Sequence, residues 1–437
     1  DVSWADLITH FGDDPQTKSI VMYLENVGDA RAFLSAAREV ALNKPIILLK
    51  SKQSADLLTG SEPRAVDEPR PDSVFDAALR RVGVLRVRSI SELFYMANIL
   101  ARQPLPRGPR LAIITNSLTP AMLATDSLLE SGGTLAHFTE ATVAALKQTL
   151  PAEVPAANPL DILGDADSTR YGAAVSAVAN DKDVDGILVI LTPQQLTEPT
   201  ATARTVSDTP AKAGKPMLAS WMGADHVAEG QAVMYRAGIP AFPYPDTPAR
   251  LFALMWRHAQ NLNGIYETPS LIVDESREPT QADAARRFLE DLREQQLAVL
   301  SPEQAVTLLG FYGIEVHPYK EPPDDAYKLL IGSRIDKTFG PYMVFGIGGR
   351  MSAIYEDIAL GLPPLTSALA HRMMESSSVW RVLQPFDPTD VVARRRVAKL
   401  QELIVRLSLL VVQQPAVRRL SINPLYVAGD EVLITNA

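Results

Sequence analysis

Few side chains in this sequence are suited to nucleophilic, acid–base or metal chemistry. The chain has no cysteine, which excludes a disulfide framework, a zinc–thiolate site and a cysteine nucleophile. Its six histidines are scattered and show no HxxxH or HExxH spacing, so we expect no metal site. The histidines are His10, His137, His226, His258, His317 and His371. The polar segment 50–76 contains none of them.

Several polar residues follow apolar strands and are candidates for binding a ligand. Asn158 and Asp161, in the string NPLD, lie at the edge where a doubly wound sheet binds its ligands. The same pair is also typical of an Asx turn, which is a structural role. Asn116, Ser117 and Thr192 stand near the ends of two other apolar strands and complete this set.

A glycine-rich string, GIGG at 346–349, follows an apolar strand near the end of the chain. Gly348 and Gly349 could let backbone N–H groups approach a phosphate, as in phosphate-binding turns. Glycine pairs after strands are more often ordinary tight turns, so both interpretations stay open.

The elements that would position these residues alternate between strand and helix up to residue 262, which predicts parallel sheets. We expect an α/β protein with flavodoxin-like, doubly wound units. Stretches dense in proline separate its segments. The predicted segments are 1–103, a domain with a thin sheet and an incomplete N-terminus; 109–264, a second flavodoxin-like domain; 281–319, linker helices; and 327–437, a final lobe.

The composition is that of a soluble globular protein, with 46% hydrophobic and 21% charged residues. A net charge of -9 argues against binding to nucleic acid or to anionic membranes, which require a basic face. No apolar run approaches the length of about 20 residues that spans a bilayer, and the first residues lack a signal-peptide pattern. We expect a cytoplasmic protein.

Strings along nearly the whole chain resemble the NDP-forming (ADP-forming) acyl-CoA synthetases. They are MYLENVGDARAFLSAAREVALNKPIILLKS, VFDAALRRVGVLRV, NPLDILGDAD, GILVILTPQ, LLIGSRIDKTFGPYMVFGIGG and LSINPL. The resemblance implies a CoA-binding Rossmann domain upstream of residue 1, two succinyl-CoA synthetase-like flavodoxin domains and an ATP-grasp unit. Segment 327–437 would be a partial ATP-grasp C-terminal lobe. The N-terminal ATP-grasp lobe is essentially absent between residues 317 and 332.

The chain departs from that family where the chemistry would occur. Arg64 falls where the synthetases carry a phosphorylated histidine, and a guanidinium cannot accept a phosphoryl group. The synthetases open a helix with a glycine-rich turn where this chain has Ser117 to Ala121, including Pro120.

Two further departures concern the metal. By the resemblance, Ala353 and Ser421 replace magnesium ligands, while Asn423 is retained. Loss of two hard oxygen ligands should disable phosphoryl transfer. Arg334 and Asp336 stand where the family approaches its nucleotide, although a surface ion pair suits them better.

Two further strings are NLNGIYETPSL and LQELIVRLSLLVVQQPAVRRLSINPLYV. Through them, and among relatives without the histidine, the chain resembles the synthetase-like module of Pat-type protein lysine acetyltransferases. The resemblance implies a catalytically degenerate regulatory module that senses acetyl-CoA/CoA or ATP/ADP. It also implies a GNAT domain beyond Ala437, metabolic enzymes as substrates and a homo-oligomer. The alternative is an ADP-forming acetate/acyl-CoA ligase, which converts acyl-CoA, ADP and phosphate into the acid, CoA and ATP. A purely structural partner protein is a third hypothesis.

Overall fold

The computed structural model describes residues 2–50, 71–209, 214–266, 281–351, 357–385, 387 and 389–436. Within them lie two parallel sheets followed by one antiparallel sheet, each with its own helices. The α/β class predicted from the sequence is therefore confirmed.

The first domain is a three-stranded parallel sheet in the order β1-β2-β3. Its elements are α1 (Trp4–Asp13), β1 (Ile20–Leu24), α2 (Ala30–Ala41), β2 (Ile46–Lys50), α3 (Pro71–Arg81), β3 (Leu85–Val87) and α4 (Ile90–Arg102). Three of the helices start where a side-chain oxygen accepts a hydrogen bond from a backbone N–H group, at Ser3, Asp29 and Ser89. Strand β2 is buried on both faces, whereas the edge strand β1 alternates between buried and exposed residues.

The second domain is a parallel sheet in the order β5-β4-β7-β8-β9, with β6 also paired to β4. Its elements are β4 (Arg110–Thr115), α5 (Leu118–Glu130), β5 (Thr134–Leu135), α6 (Glu140–Thr149), β6 (Leu160–Asp161), α7 (Ser168–Ala179), β7 (Gly186–Leu191), α8 (Pro199–Asp208), β8 (Met217–Trp221), a 3-10 turn (Ala224–Val227), α9 (Ala228–Arg236), β9 (Ala241–Phe242) and α10 (Asp246–Tyr266). The order is that of a flavodoxin-like sheet, whose switch point lies between β4 and β7.

The third domain is an antiparallel sheet in the order β12-β11-β10-β13-β14. Its elements are α11 (Ala282–Glu294), α12 (Pro302–Gly310), β10 (Tyr327–Asp336), β11 (Gly340–Ile347), a 3-10 turn (Gly349–Met351), β12 (Ile358–Gly361), α13 (Ser367–Glu375), α14 (Trp380–Leu383), α15 (Val391–Gln413), β13 (Leu420–Ala428) and β14 (Glu431–Ile434). The helices cover one face of this sheet and enclose its core.

The three domains share apolar clusters. One face of the first sheet, including Leu49 and Val87, packs in one cluster with Ile113 and Ile190 of the second sheet and Met255 of α10. In another cluster, residues of α3 pack on the second face of the antiparallel sheet. Its buried members are Val74, Ala77, Ala78, Tyr342, Val344, Leu360 and Leu362. The domains are therefore joined by buried apolar surface as well as by their linkers.

A glycine in α10 allows one polar contact between domains. Arg372 of α13 donates from Nη1 to the backbone carbonyl of Gln260, at 3.0 Å. A Cβ atom at Gly264 would lie 2.3 Å from that same nitrogen. Glycine within a helix costs about 1 kcal/mol relative to alanine, and here it leaves space for the arginine.

Some elements carry a weak sequence signal. Strands Thr134–Leu135 and Ala241–Phe242 have two residues each, and both lie at edges of the second sheet, where a strand has one neighbour. In the described part of segment 327–437, the sheet has five strands and three helices pack on it. Strand β10 is buried on both faces, so its sequence lacks the alternation that reveals a half-exposed strand. Among the described residues, no helix combines the length and apolar character needed to cross a membrane.

His258 of α10 predicts an acid-sensitive stability. It is 1% exposed, and burial lowers its pKa from 6.5 to about 4. As the pH falls from 6.5 towards 4, the unfolded chain binds this proton before the folded chain does, so folding stability is lost in that window. We expect His258→Phe to remove about 2 kcal/mol of the stability difference between pH 7.5 and pH 5. Urea unfolding at the two pH values measures it.

The matched control for this experiment is His226→Phe, which removes an exposed imidazole in the same domain. The control should retain the wild-type difference between the two pH values. Equal pH dependence in the His258→Phe variant and the wild type would contradict the assignment.

Candidate ligand-binding site

The switch point of the second sheet is closed by the side chain of Asn116. This buried residue follows β4, and its Nδ2 donates to the carbonyl of Thr192, after β7, at 2.7 Å. The N–H group of Thr192 donates back to Oδ1 of Asn116 at 2.8 Å. The two loops predicted to hold a ligand therefore meet, but Asn116 joins them to each other.

The helix that opens at this edge, α5, has a reduced set of backbone donors at its start. The N–H group of Ser117 donates to the Thr115 hydroxyl at 3.1 Å, and that hydroxyl donates to the Ser117 carbonyl at 2.8 Å. Pro120, the third residue of the helix, has no N–H group, and Ala121 is fully buried. Leu118, at the first helical position, is 48% exposed. This helix end offers an anion fewer amides than a glycine-rich turn would.

The candidates in the NPLD string serve the backbone around them. Asn158 accepts a hydrogen bond from the N–H group of Ile113 and donates to the carbonyls of Leu111 and Ala136, each at 2.9 Å. Asp161 accepts from the N–H group of Leu163 at 3.0 Å, as in an Asx turn. Asn158 thus bridges strand β4 to the residue after β5 and has both ends of its amide engaged.

The glycine-rich turn after β11 is built for close packing of the backbone. The N–H group of Gly348 donates to the carbonyl of Lys328 at 2.8 Å, and a Cβ atom at Gly348 would lie 2.1 Å from the carbonyl oxygen of Leu329. Gly349 has a φ of +67° and donates to Oδ1 of Asn423 at 2.6 Å. These contacts match the tight turn that the sequence analysis kept as an alternative to phosphate binding.

The other two candidates of the third domain also bond to the main chain. Nη1 of Arg334 donates to the carbonyls of Ser333 and Leu420, at 2.9 and 2.8 Å. Oδ1 of Asp336 accepts from the N–H groups of Thr338 and Phe339, at 2.8 and 2.9 Å, and so closes the hairpin between β10 and β11. We expected these two residues to form a surface ion pair. Their bonds to backbone carbonyl and N–H groups instead give each one a structural role.

Of the positions suggested for binding magnesium, the structure describes Ser421 and Asn423, and their side chains do not suit that ion. Ser421 lies opposite Gly332 in β13 and offers one hydroxyl, and the oxygen of Asn423 already accepts a hydrogen bond from Gly349. Magnesium in nucleotide sites is held by carboxylates and phosphates, and no cluster of three or more histidine, aspartate or glutamate residues occurs among the residues described. The remaining predicted positions, Arg64 and Ala353, lie outside the described residues.

A charged network that the sequence analysis missed lies at the carboxyl edge of the first sheet. Arg86 pairs with Asp72 at 2.9 Å and with Asp76 at 2.6 Å, and Lys50 pairs with Asp72 at 3.4 Å. Burial acts against the charged form of Asp72, but the bond from Arg86 and the charges of Arg86 and Lys50 outweigh it and hold its pKa below the usual value. The spacing of Asp72 and Asp76, one helical turn apart, was the available signal.

Comparison with known proteins assigns each domain to a class. Residues 1–100 match the family described as succinyl-CoA ligase like flavodoxin domain, residues 111–264 the ligase-CoA domain and residues 301–437 the ATP-grasp domain. The chain thus has the domain set of a CoA ligase with an ATP-grasp unit, as expected from the resemblance.

Individual relatives narrow this class. The chain is 25% identical to acetate–CoA ligase [ADP-forming] I of Archaeoglobus fulgidus, over 97% of this chain and 70% of the relative. It is also 25% identical to 4-hydroxybutyrate–CoA ligase [ADP-forming] of Nitrosopumilus maritimus, over 98% and 70%. Over nearly its whole length, this chain is therefore similar to ADP-forming acyl-CoA ligases. Nothing in these matches supports the predicted regulatory module of a protein lysine acetyltransferase.

Solved structures agree with this assignment. The dinucleotide-forming acetyl-coenzyme A synthetase 1 of Ca. Korarchaeum cryptofilum, in complex with phosphate and ADP, has a TM-score of 0.53 and 28% identity, covering 61% of this chain and 58% of that one. A Pyrococcus horikoshii OT3 protein has a TM-score of 0.52 and 27% identity, covering 60% and 57%. The chain therefore spans under two thirds of each of these solved chains.

Asn116 provides a test of the closed switch point. Replacement by alanine leaves the part-buried N–H and carbonyl groups of Thr192 without their partner, so we expect a loss of about 2 kcal/mol in the free energy of unfolding. Urea denaturation measures this loss. The control Asn180→Ala removes an exposed amide with one bond to Ser176 and should change stability little. If the Asn116→Ala variant were as stable as this control, the two hydrogen bonds between Asn116 and Thr192 would not stabilise the fold.

Gly348 provides a test of the turn in the third domain. We expect Gly348→Ala to lose at least about 1 kcal/mol of stability, because the added methyl group meets a backbone carbonyl. Thermal unfolding followed by circular dichroism would measure the change. Gly310→Ala is the control, since a Cβ atom there meets nothing within 4 Å. If the two variants unfolded at the same temperature, the close backbone approach at Gly348 would not contribute to stability.

Proposed function

We propose that this chain is a component of an ADP-forming acyl-CoA ligase, which interconverts acyl-CoA, ADP and phosphate with the free acid, CoA and ATP. The observation that carries the proposal is the match to such ligases over 97% of the chain, through all three domains in order. The relatives' names specify acetate and 4-hydroxybutyrate, so small carboxylic acids are the substrate class we infer.

In this proposal another polypeptide supplies the groups that this chain lacks. Segment 50–76 has no histidine to accept a phosphoryl group, and the described residues do not fit magnesium at Ser421 and Asn423. The alignment with the Archaeoglobus relative, 498 residues, is longer than the 437 residues of this chain, so that relative has residues without a counterpart here. This chain would contribute the scaffold that holds the domains of the ligase together.

Relatives with divided subunits support such an arrangement. The alpha subunit of acetate–CoA ligase [ADP-forming] II of Pyrococcus furiosus is 30% identical over 60% of this chain. The beta subunit of acetate–CoA ligase [ADP-forming] I of the same organism is 25% identical over 25% of this chain. Acetate–CoA ligases therefore occur as separate chains, and we infer that this one also acts with a partner.

A second candidate is the regulatory module inferred from the sequence, in which the same domains bind CoA or nucleotide without chemistry. Its specific support is the combination of Arg64 in the histidine segment with Pro120 at the start of α5. In this candidate the chain is joined to, or associated with, a GNAT acetyltransferase, forms homo-oligomers and works in the cytoplasm on metabolic enzymes.

ATP formation separates the two candidates. Protein isolated at its native size from its own cells would be incubated with acetyl-CoA, ADP, phosphate and magnesium, and in parallel with 4-hydroxybutyryl-CoA. The ligase proposal expects ATP and free CoA in equal amounts, and loss of this activity from cells in which the gene is deleted. Acyl-CoA binding without ATP formation, or activity that survives the deletion, would contradict it. Acetylation of lysine residues by the same preparation would favour the regulatory module.

The isolated chain gives a further prediction. Residues 1–437 incubated with γ-labelled ATP should take up no acid-labile phosphate, because segment 50–76 contains no histidine. Labelled protein is separated under alkaline conditions, which preserve phosphohistidine, and then treated with acid. A stoichiometric acid-labile label on this chain would show that it carries its own phosphoryl acceptor.

A further inference from the structure

A wide cleft opens where the first domain meets helix α10 of the second. Its volume is about 910 Å³, within the range of small-molecule sites. It runs along the edge strand β3, from Val84 to Ile90, and reaches Lys50 at the end of β2, with α3 and α10 at its sides. Its lining in the described part of the chain includes five cationic side chains and two carboxylates, a net formal charge of +3 in a chain whose total is -9. The charged ones are Lys50, Asp72, Asp76, Arg80, Arg86, Arg88 and Arg257.

Two of these cations are already neutralised. Arg86 pairs with both carboxylates, and Lys50 pairs with Asp72. Lys50 and Arg86 also lie over the ring of Phe75, at 4.4 and 5.2 Å from its centroid. Both acidic groups among the described lining residues are therefore engaged with these two cations, and the positive charge of the other three arginines remains.

Those three arginines, Arg80, Arg88 and Arg257, come from different elements and are exposed to solvent. In the described part of the chain, the guanidinium groups of Arg80 and Arg88 have no hydrogen-bond or ion-pair partner, and that of Arg257 donates only to the carbonyl of Ser131, at 3.4 Å. Surrounding protein, together with the charge of Arg257, lowers the pKa of Arg80 against the opposing effect of Asp76. Desolvation and the charge of Arg88 likewise lower the pKa of Arg257, opposed by Asp76 and Glu92. Among the described residues, none of these three guanidinium groups is paired with a carboxylate, so the positive charges lie together at the cleft.

Asn261 adds an independent observation. It lines the cleft one helical turn after Arg257 and is only 9% exposed. Among the described residues its side-chain amide has no hydrogen-bond partner. Its amide nitrogen borders the cleft, where it can donate a hydrogen bond to a ligand oxygen.

We propose that this cleft binds a phosphate-bearing ligand, whose phosphate oxygens are held by Arg80, Arg88 and Arg257 and by the amide of Asn261. Arginine forks suit phosphate because they donate two parallel hydrogen bonds. The cleft is larger than one phosphate group, and the exposed side chains of Tyr23 and Ile90 on its lining provide apolar surface for an organic portion. The site is distinct from the start of α5 and from the glycine turn of the third domain, and it stands whether or not the chain belongs to a ligase.

Calorimetric titration of the full chain tests the site with four probes: inorganic phosphate, ADP, adenosine 3′,5′-bisphosphate and adenosine. We expect the phosphorylated probes to bind and adenosine to bind far more weakly. Arg80→Gln and Arg257→Gln should each weaken binding about tenfold, as expected for loss of a charge-assisted hydrogen bond. Arg236→Gln, an exposed arginine of α9, is the matched control and should bind as the wild type does.

The probes also identify the source of the phosphate. Equal affinity for phosphate and ADP assigns the site to the free anion, and a clear preference for either nucleotide assigns it to an organic phosphate. Binding that is unchanged in both cleft variants, binding lost equally in Arg236→Gln, or no binding of any phosphorylated probe would overturn the proposal. ADP bound in the third domain would not respond to the cleft variants, so the two sites are distinguishable.

Discussion

The architecture depends on the burial of one face of the first sheet against the second domain. A three-stranded parallel sheet is small, and parallel sheets are stable only when both faces are covered. Helices α2 and α3 cover one face, while Leu49 and Val87 on the other belong to a cluster with Met255 of α10 and the second sheet. Hydrophobic burial across this boundary stabilises the pair of domains together. The cleft and its arginines exist only because this contact brings α10 beside β3.

Most polar side chains at the positions expected to bind a ligand form hydrogen bonds with the protein's own backbone instead. Asn116, Asn158 and Asp336 each form hydrogen bonds with backbone groups within or next to strands. A buried backbone group without a partner costs more than a surface contact gains, so a side chain that supplies the partner is rarely free for another task. Unsatisfied charge, which is the more informative sign of a ligand, lies instead on α3, α10 and the residue after β3.

Much of the fold could be predicted from the sequence, because runs such as Ile46–Lys50 and Gly186–Leu191 are continuously apolar and flanked by helical patterns. Short edge strands such as Ala241–Phe242 and the doubly buried β10 carry weaker signals. The exact domain limits remain predictions. The cleft could not be predicted, because Arg88 and Arg257 are far apart in the chain and no local spacing relates them. The similarity to ADP-forming acyl-CoA ligases was predicted correctly, whereas the acetyltransferase subgroup rested on the two strings quoted for it and is not supported by the comparisons.

Helix α3 has three different neighbours. Phe75 and Leu79 pack into the core of the first domain, Val74 and Ala78 contact the antiparallel sheet, and Asp72, Asp76 and Arg80 line the cleft. A helix of 11 residues with three occupied sides has almost no position that can vary without altering one of these contacts. Over evolutionary time this segment should therefore accept substitutions slowly and in correlated sets, changing together with partners in all three domains.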